Sequence, residues 1–414
     1  MNLPITPRAM RRLCAFALTT ALAAGTALPA SAVEPDRRGS GLVSALRAEL
    51  DQYLAARGTA EHISADSLTV TFPGGRPGID LAAGTTTYGG HTAVSADAPW
   101  QIGSNTKAFT SVILLQLEAE GRLSIDDPLS EYLPQYPQWG TITIRRLLNM
   151  TSGIPDYVSQ PAFLPALLTN LNTTFTTDQL ASYAYGLPLG PDAYAYTNTD
   201  YILAQMVIEK VTHDSYADQL TRRLLIPFGL HATCLGPDTC PTAAATSMAT
   251  AYLNTGAGSP PFAIAVPALN LTYAQGAGGI IATLPDLAAW DRALYRGRLL
   301  PPRQQRELES LISTTTSQPI RTTTLDDPSG YGLGVIQVTT QLTGTVWFYE
   351  GETFGNRVLH VYDPATGVLV VIAANSYSTS DDLGDLAGSV IQTLRTGHAT
   401  TSIPMATPGI PSGT

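Results

Sequence analysis

The chain has 414 residues, a formal net charge of −10, 14% charged residues and 44% hydrophobic residues. That length buries a large core in one or two domains. The acidic balance, without any basic run or stripe, excludes nucleic-acid binding by phosphate neutralisation. The six histidines (62, 91, 213, 231, 360, 398) form no His-x-x-x-His pair, so zinc is not expected, and nothing in the sequence implies another metal or an organic cofactor.

The N-terminus reads as a secretory signal. Arg8, Arg11 and Arg12 precede an apolar stretch from Leu13 to Leu28, and Ala30-Ser31-Ala32 offers a small-x-small cleavage site. Thr19, Thr20, Gly25 and Thr26 interrupt the stretch, which is short for a membrane anchor. No lipobox precedes Cys14, so a lipid anchor is not expected either. The expected product is extracytoplasmic and begins near Val33, with no stable membrane anchor. It retains two cysteines, Cys234 and Cys240, on either side of Gly236-Pro237. An even count in an exported chain suggests one small-loop disulfide, the alternative being two unpaired thiols.

Leu42 to Leu54 has helical apolar spacing. Ser67–Phe72 and Ile79–Ala83 read as strands about the turn Gly74-Gly75-Arg76-Pro77-Gly78. From Gly121 to Leu253 the pattern is mainly helical. Asp126-Asp127-Pro128 opens a short helix, followed by helices over Thr143–Met150, Thr176–Tyr185, Asp200–Val211 and Tyr216–Leu225. Residues 254–272 read as a loop. Gly276 to Ile280 is a tight turn into a helix from Thr283 to Tyr295. Strands are predicted over Tyr331–Val338, Thr345–Tyr349, Asn356–Tyr362 and Val368–Ala374, then a closing helix over Asp385–Leu394. The class is α+β: an antiparallel sheet flanked by helices, with an inserted mainly helical domain. The expected division is a signal over 1–32, a discontinuous sheet domain (33–120 and 260–397), a helical domain (121–259) and a disordered tail (398–414). A cleft between the two domains is the default site.

Three clusters carry candidate chemistry. In Ser104-Asn105-Thr106-Lys107 a hydroxyl and an amine share one helix face, and the apolar run Val112–Leu117 after them marks a buried helix. The chain contains two lysines, Lys107 and Lys210, and otherwise uses arginine. Arginine keeps its proton at any working pH, whereas a desolvated lysine can release one and serve as the base that activates a serine. The competing reading is a helix-capping serine followed by a solvated lysine. The second cluster is Tyr194-Ala195-Tyr196-Thr197-Asn198, and the third is Tyr349-Glu350-Gly351-Glu352.

Taken in order, these clusters resemble the serine β-lactamase and penicillin-binding superfamily. The nearest branch looks like the class C β-lactamase, D-Ala-D-Ala carboxypeptidase and family-VIII esterase group. Leu147-Leu148-Asn149-Met150-Thr151-Ser152-Gly153-Ile154, Ile226-Pro227-Phe228-Gly229-Leu230, Ala277-Gly278-Gly279-Ile280 with Asp286-Leu287, and Tyr331-Gly332-Leu333-Gly334 extend the likeness from about Leu42 to about Leu394. The resemblance implies that Ser104 is acylated, that Lys107 takes or relays its proton, and that Tyr196 passes a proton to the leaving group. It implies that Asn198 holds Lys107 and the substrate amide, and that the Ser104 and Glu352 N–H groups form an oxyanion hole. A neighbouring ammonium is expected to favour the Tyr196 phenolate.

The third motif departs from the family's Lys-Thr-Gly or His-x-Gly. Tyr349 replaces the cation that would meet a substrate carboxylate, and Glu350 adds a carboxylate or else points away to solvent. Gly351 is expected to let backbone pass close to the substrate. The leading reading is an exported acyl-enzyme hydrolase of the D-Ala-D-Ala carboxypeptidase/β-lactamase type, acting on a small-molecule or peptide acyl substrate. The altered motif suggests weak action on β-lactams and on free C-terminal D-Ala. A carboxylesterase or D-amino-acid amidase is the rival specificity, and a non-catalytic penicillin-binding-type sensor is the second class.

Overall fold

A computed structural model of the chain describes residues 37–236, 239–241, 247–254, 263–265, 270–377 and 383–398. The expected signal and nearly all of the expected tail lie outside the described residues. Helix α1 (Arg37–Glu61) leads to β1 (Ala65–Thr71) and β2 (Ile79–Gly84), and β3 (Pro99–Gln101) precedes α2 (Thr106–Ala119). A run of shorter helices follows: α3 (Ile144–Leu148), α4 (Phe163–Thr169), α5 (Thr177–Ser182), α6 (Thr199–Thr212) and α7 (Tyr216–Leu220). Then come β4 (Thr233–Leu235), β5 (Tyr252–Asn254), β6 (Ala263–Ala265), α8 (Gln275–Gly278), β7 (Ile280–Thr283), α9 (Leu284–Tyr295) and α10 (Pro302–Leu308). The last part holds β8 (Leu311–Ser313), β9 (Pro319–Ile320), β10 (Ser329–Tyr331), β11 (Ile336–Thr340) and β12 (Gly344–Glu352). It closes with β13 (Arg357–Tyr362), β14 (Leu369–Ala374), β15 (Ser376–Tyr377) and α11 (Leu383–His398).

The main sheet has the order β2-β1-β14-β13-β12-β11-β10-β8-β9 and every pairing in it is antiparallel. Strands from both ends of the chain meet where β1 pairs with β14. The fold is thus the antiparallel α+β arrangement expected. β13 and β14 are buried at every position, so helices cover both faces there: α1 and α11 pack against the sheet, as does α9. A second sheet, β3-β7-β4, has β7 at its centre and carries the chain into α2.

Several expectations change. The predicted strand Tyr331–Val338 is two strands, β10 and β11, because Gly332 and Gly334 turn the chain between them. Gly334 has φ +81°, and a Cβ there would lie 2.8 Å from both Ser111 Oγ and Tyr201 Oη. The stretch Gly276–Ile280 is a short helix leading into β7, since Ile280–Thr283 is paired on both sides. Within 254–272, Ala263–Ala265 forms a strand against β5. After Asp126-Asp127-Pro128 only a 3-10 turn forms, at Leu129–Glu131, and Tyr216–Leu225 passes from α-helix into a π turn at Thr221. Cys234 and Cys240 are joined by a disulfide next to β4. Among the described residues no helix is long and apolar enough to cross a membrane.

Where β1 faces α1 it buries Asp66 completely, and burial holds that carboxyl well above the usual carboxylate range. The folded state therefore favours the protonated acid. The associated stability is complete below the unfolded value near pH 4 and is lost as pH rises toward the folded value, at about 1.4 kcal/mol per pH unit within that window. Asp66→Asn has no such loss. Its melting temperature should gain on the wild type progressively between pH 4 and pH 8, measured by thermal scans. A constant gap across that range would contradict the assignment.

Candidate active site

Ser104 lies in a 3-10 turn, Gly103–Asn105, at the mouth of α2. The turn is held from two sides. Upstream, β3 pairs with β7 and Ile102 N–H donates to Ile280 O at 3.0 Å. On the other side β12 passes backbone to backbone. A Cβ on Gly103 would meet Glu352 backbone atoms at 2.5–2.7 Å, and one on Gly351 would meet Ile102 O at 2.1 Å and Ser104 N at 2.8 Å. Gly351 is therefore needed for the approach of β12 to the Ser104 turn, a reason for glycine that stands apart from the expected approach to substrate. Asn105 fixes the turn to β13: its Nδ2 donates to Ile102 O and Val358 O, both at 2.9 Å, and its Oδ1 accepts from His360 Nδ1 at 2.9 Å.

Neither half of the capping alternative holds. The N-cap of α2 is Asn105, with no side-chain cap bond, and Lys107 is fully buried. Lys107 Nζ donates to Ser104 Oγ (2.9 Å), Asn198 Oδ1 (2.8 Å) and Ala277 O (2.7 Å). Three acceptors match three ammonium protons. Burial lowers the lysine to about 7, against the pull of Asp156 and Asp200.

Tyr196 Oη donates to Ser104 Oγ at 2.6 Å, so the Ser104 hydroxyl sits between an amine and a phenol. The loop before α6 that carries Tyr196 is pinned by its own N–H groups. Ala195 N–H donates to Met150 O (2.9 Å) and Asn198 N–H to Asp156 Oδ1 (3.0 Å). Burial pushes Tyr196 above the ordinary phenol value, with Asp156 and Glu352 adding to the rise, although bonds to Ser104 and Tyr349 oppose it. The expected phenolate is thereby corrected: desolvation outweighs the neighbouring ammonium.

The third wall is β12. Tyr349 is buried, its hydroxyl 3.1 Å from that of Tyr331, and it is hydrogen-bonded to Tyr196. Glu350, left open by the sequence, lines the cleft together with Glu352, Asp156, Ser104 and Asn198. Tyr157, Tyr273, Phe348, Phe354 and Tyr377 give the cleft, of about 210 Å³, aromatic walls. Two contributors carried no role in the sequence reading. Asp156 was readable as an N-cap acid ahead of Tyr157-Val158-Ser159, whereas the Ala277 carbonyl has no side-chain signature. Among the described residues no group of three or more His, Cys, Asp or Glu is placed to hold a metal.

A family model described as Beta-lactamase matches residues 46–394. The chain belongs to that family. Its members are serine hydrolases: amidases, esterases and peptidases. Among solved structures, a D-stereospecific amidohydrolase from a Streptomyces species superposes with a TM-score of 0.71 at 27% identity, over 87% of this chain and 99% of the other. D-amino acid amidase from Ochrobactrum anthropi SV3 reaches a TM-score of 0.73 at 21% identity, over 86% and 99%, and at that identity supports the fold alone. PbpX of Bacillus subtilis (strain 168), by its name a candidate penicillin-binding protein, is 25% identical over 71% of this chain and 66% of its own length. Protein flp of Staphylococcus aureus (strain N315) is 37% identical over 34% of this chain, and the match spans only 28% of that protein.

Within this family fold, the packing of β12 on the nucleophile's turn makes a direct prediction. Gly351→Ala places a methyl against backbone atoms that cannot rotate away. It should lower the melting temperature by several degrees and slow labelling of Ser104 by a fluorophosphonate at least tenfold. Gly384→Ala in α11, where the added Cβ meets nothing within 4 Å, should leave both unchanged. Equal behaviour of the two variants would refute the packing argument.

Proposed function

We propose that this chain is an exported serine hydrolase that cleaves amides and esters through an acyl-enzyme on Ser104, with amine-bearing substrates such as D-amino-acid amides preferred. The observation that carries the reading is the placement of Ser104 Oγ within hydrogen-bond reach of both Lys107 Nζ and Tyr196 Oη. When Lys107 is neutral, Ala277 O and Asn198 Oδ1 retain its two N–H bonds and its lone pair is left facing the serine. Ser104 Oγ attacks the substrate carbonyl as its proton passes to Lys107. The tetrahedral oxyanion is received by the Ser104 and Glu352 N–H groups, on two segments packed against one another. Tyr196, neutral because it is buried, donates its proton to the leaving nitrogen or oxygen and recovers one from the ammonium of Lys107. Water then attacks the acyl-enzyme and the proton movements reverse.

The specificity argument rests on charge. Asp156, Glu350 and Glu352 line the cleft, and among the described residues no arginine or lysine lines it. A substrate ammonium gains from that field and a free carboxylate loses. The absence of a cation at Tyr349 weighs the same way, against the D-Ala-D-Ala carboxypeptidase reading. The likeness at 27% identity to a D-stereospecific amidohydrolase supports the amidase reading, as do the aromatic walls, which suit a bulky apolar acyl group.

Two outcomes test this. The rate constant kcat/KM for a p-nitrophenyl ester should rise with pH through about 7, where Lys107 loses its proton, because the base is the neutral amine. Lys107→Arg should abolish turnover at every pH. A profile flat from pH 5 to 9 would remove Lys107 from the role of base. In a substrate panel, a D-amino-acid amide should be hydrolysed faster than its N-acetyl derivative and faster than a peptide ending in D-Ala-D-Ala; the reverse order would overturn the specificity. Intact-mass analysis after fluorophosphonate treatment should find the adduct on Ser104, and no adduct would favour a non-catalytic cleft.

A further inference from the structure

Asp156 has no part in the reaction as drawn, yet its carboxylate sits behind the catalytic lysine. It caps the 3-10 turn Tyr157–Ser159, accepting from Val158 N–H at 3.4 Å. Its Oδ1 also accepts from Asn198 N–H (3.0 Å) and Asn198 Nδ2 (3.4 Å), and its Oδ2 from the same Nδ2 at 3.3 Å. The other end of the Asn198 amide, Oδ1, accepts from Lys107 Nζ. One amide thus bridges a carboxylate and an amine, and only one orientation satisfies both. A flip would set NH₂ against the amine and a carbonyl oxygen against the carboxylate.

We propose that Asp156 is a positioning residue for the reaction: it locks the Asn198 amide so that its Oδ1 faces Lys107 and keeps an acceptor on the lysine's ammonium. This rests on the reading of Lys107 as the base. Asp200 also pulls on the lysine's proton but takes no part in the Asn198 bridge: from α6 it accepts from Ser152 Oγ at 2.6 Å, and burial holds its carboxyl well above the usual range. Tyr196 and Tyr201 present their rings to the ammonium, at 4.9 and 5.6 Å, and both remain neutral phenols. Glu350 and Glu352 line the cleft from β12. Asp156 instead faces N–H donors, the surroundings a carboxylate needs, and these offset part of the rise that burial imposes on it.

The chain's two lysines make a direct measurement possible. Lysine labelled with ¹³C at Cε gives two resonances, and Lys107→Arg assigns them; exposed Lys210 serves as the internal reference. In the wild type Lys107 should titrate near neutral pH. In Asp156→Asn its midpoint should fall by roughly one pH unit, the scale of a lost counter-charge at close range. Asp156→Ser, which keeps a capping oxygen for Val158, should show the same fall and covers the case in which the asparagine variant does not fold. Asp156→Glu should restore most of the midpoint, and Asp200→Asn, which leaves the Asn198 bridge intact, should lower it by less than Asp156→Asn does. The acid limb of kcat/KM should move with the midpoint while KM for a D-amino-acid amide changes less than threefold. An unmoved Lys107 midpoint in both the Asn and Ser variants would overturn the proposal, as would a shift produced by Asp200→Asn alone. A large KM increase for amine-bearing substrates without a midpoint shift would overturn it too, by making Asp156 a substrate contact. Failure of Ser104 acylation in the wild type would defeat the functional reading while leaving the titration result standing.

Discussion

A lysine without exposed surface must keep all three ammonium protons bonded or release one, and the organisation of this fold follows from that requirement at Lys107. Its acceptors come from its own turn and from two distant stretches: Ser104 one turn earlier, Asn198 91 positions away and Ala277 170 positions away. Helix α2 must therefore pack against the start of α6 and against α8 at once, and nearly every residue of α2 is buried as a result. The polar residues of α2 show the same logic: Thr110 Oγ1 donates to Gly276 O at 2.7 Å and Ser111 Oγ pairs with Tyr201 Oη at 3.1 Å. A helix with hydroxyls and an amine can be buried only where each of them meets a fixed partner.

Two of those fixed partners, Ala277 O and Gly276 O, are backbone, and glycine recurs where segments meet. β12 and the nucleophile's turn approach so closely that a methyl group on either Gly103 or Gly351 would collide with main-chain atoms of the other segment. The approach sets the two N–H groups assigned to the oxyanion on elements that cannot separate without unpairing β12 from β13 or β3 from β7. Preorganisation of this kind costs nothing at the moment of reaction because it was established on folding.

The same distinction between side chain and backbone decides what the sequence could convey. Ser104 and Lys107 were legible because their relation is local and because lysine is so rare in this chain. Tyr196, Asn198 and Gly351 were legible through residue types at short spacing. The Ala277 carbonyl was not, since a main-chain acceptor is available at every position and only tertiary packing selects one. Short strands such as β7, β8 and β9 escaped because two to four residues show no period. Tyr196 was misjudged as a phenolate because its sequence neighbours say nothing about desolvation, the larger effect on its proton. Glu350 was undecidable because alternation along a strand gives two faces without saying which one is the cleft.

Tyr349, Glu350 and Glu352 all stand on β12 and line one cleft. The buried side, with Tyr349 against Tyr196 and Tyr331, contributes only neutral phenols beside the lysine. A cation at position 349 would stand near Lys107 and favour release of the lysine's proton. With a phenol there, the balance at Lys107 lies between burial, which expels the proton, and the carboxyls of Asp156 and Asp200, which retain it. Asp156 also lines the cleft with Glu350 and Glu352. A positive charge arriving in the cleft meets the carboxylate that stabilises the ammonium, so it attracts that carboxylate and repels the lysine's proton together.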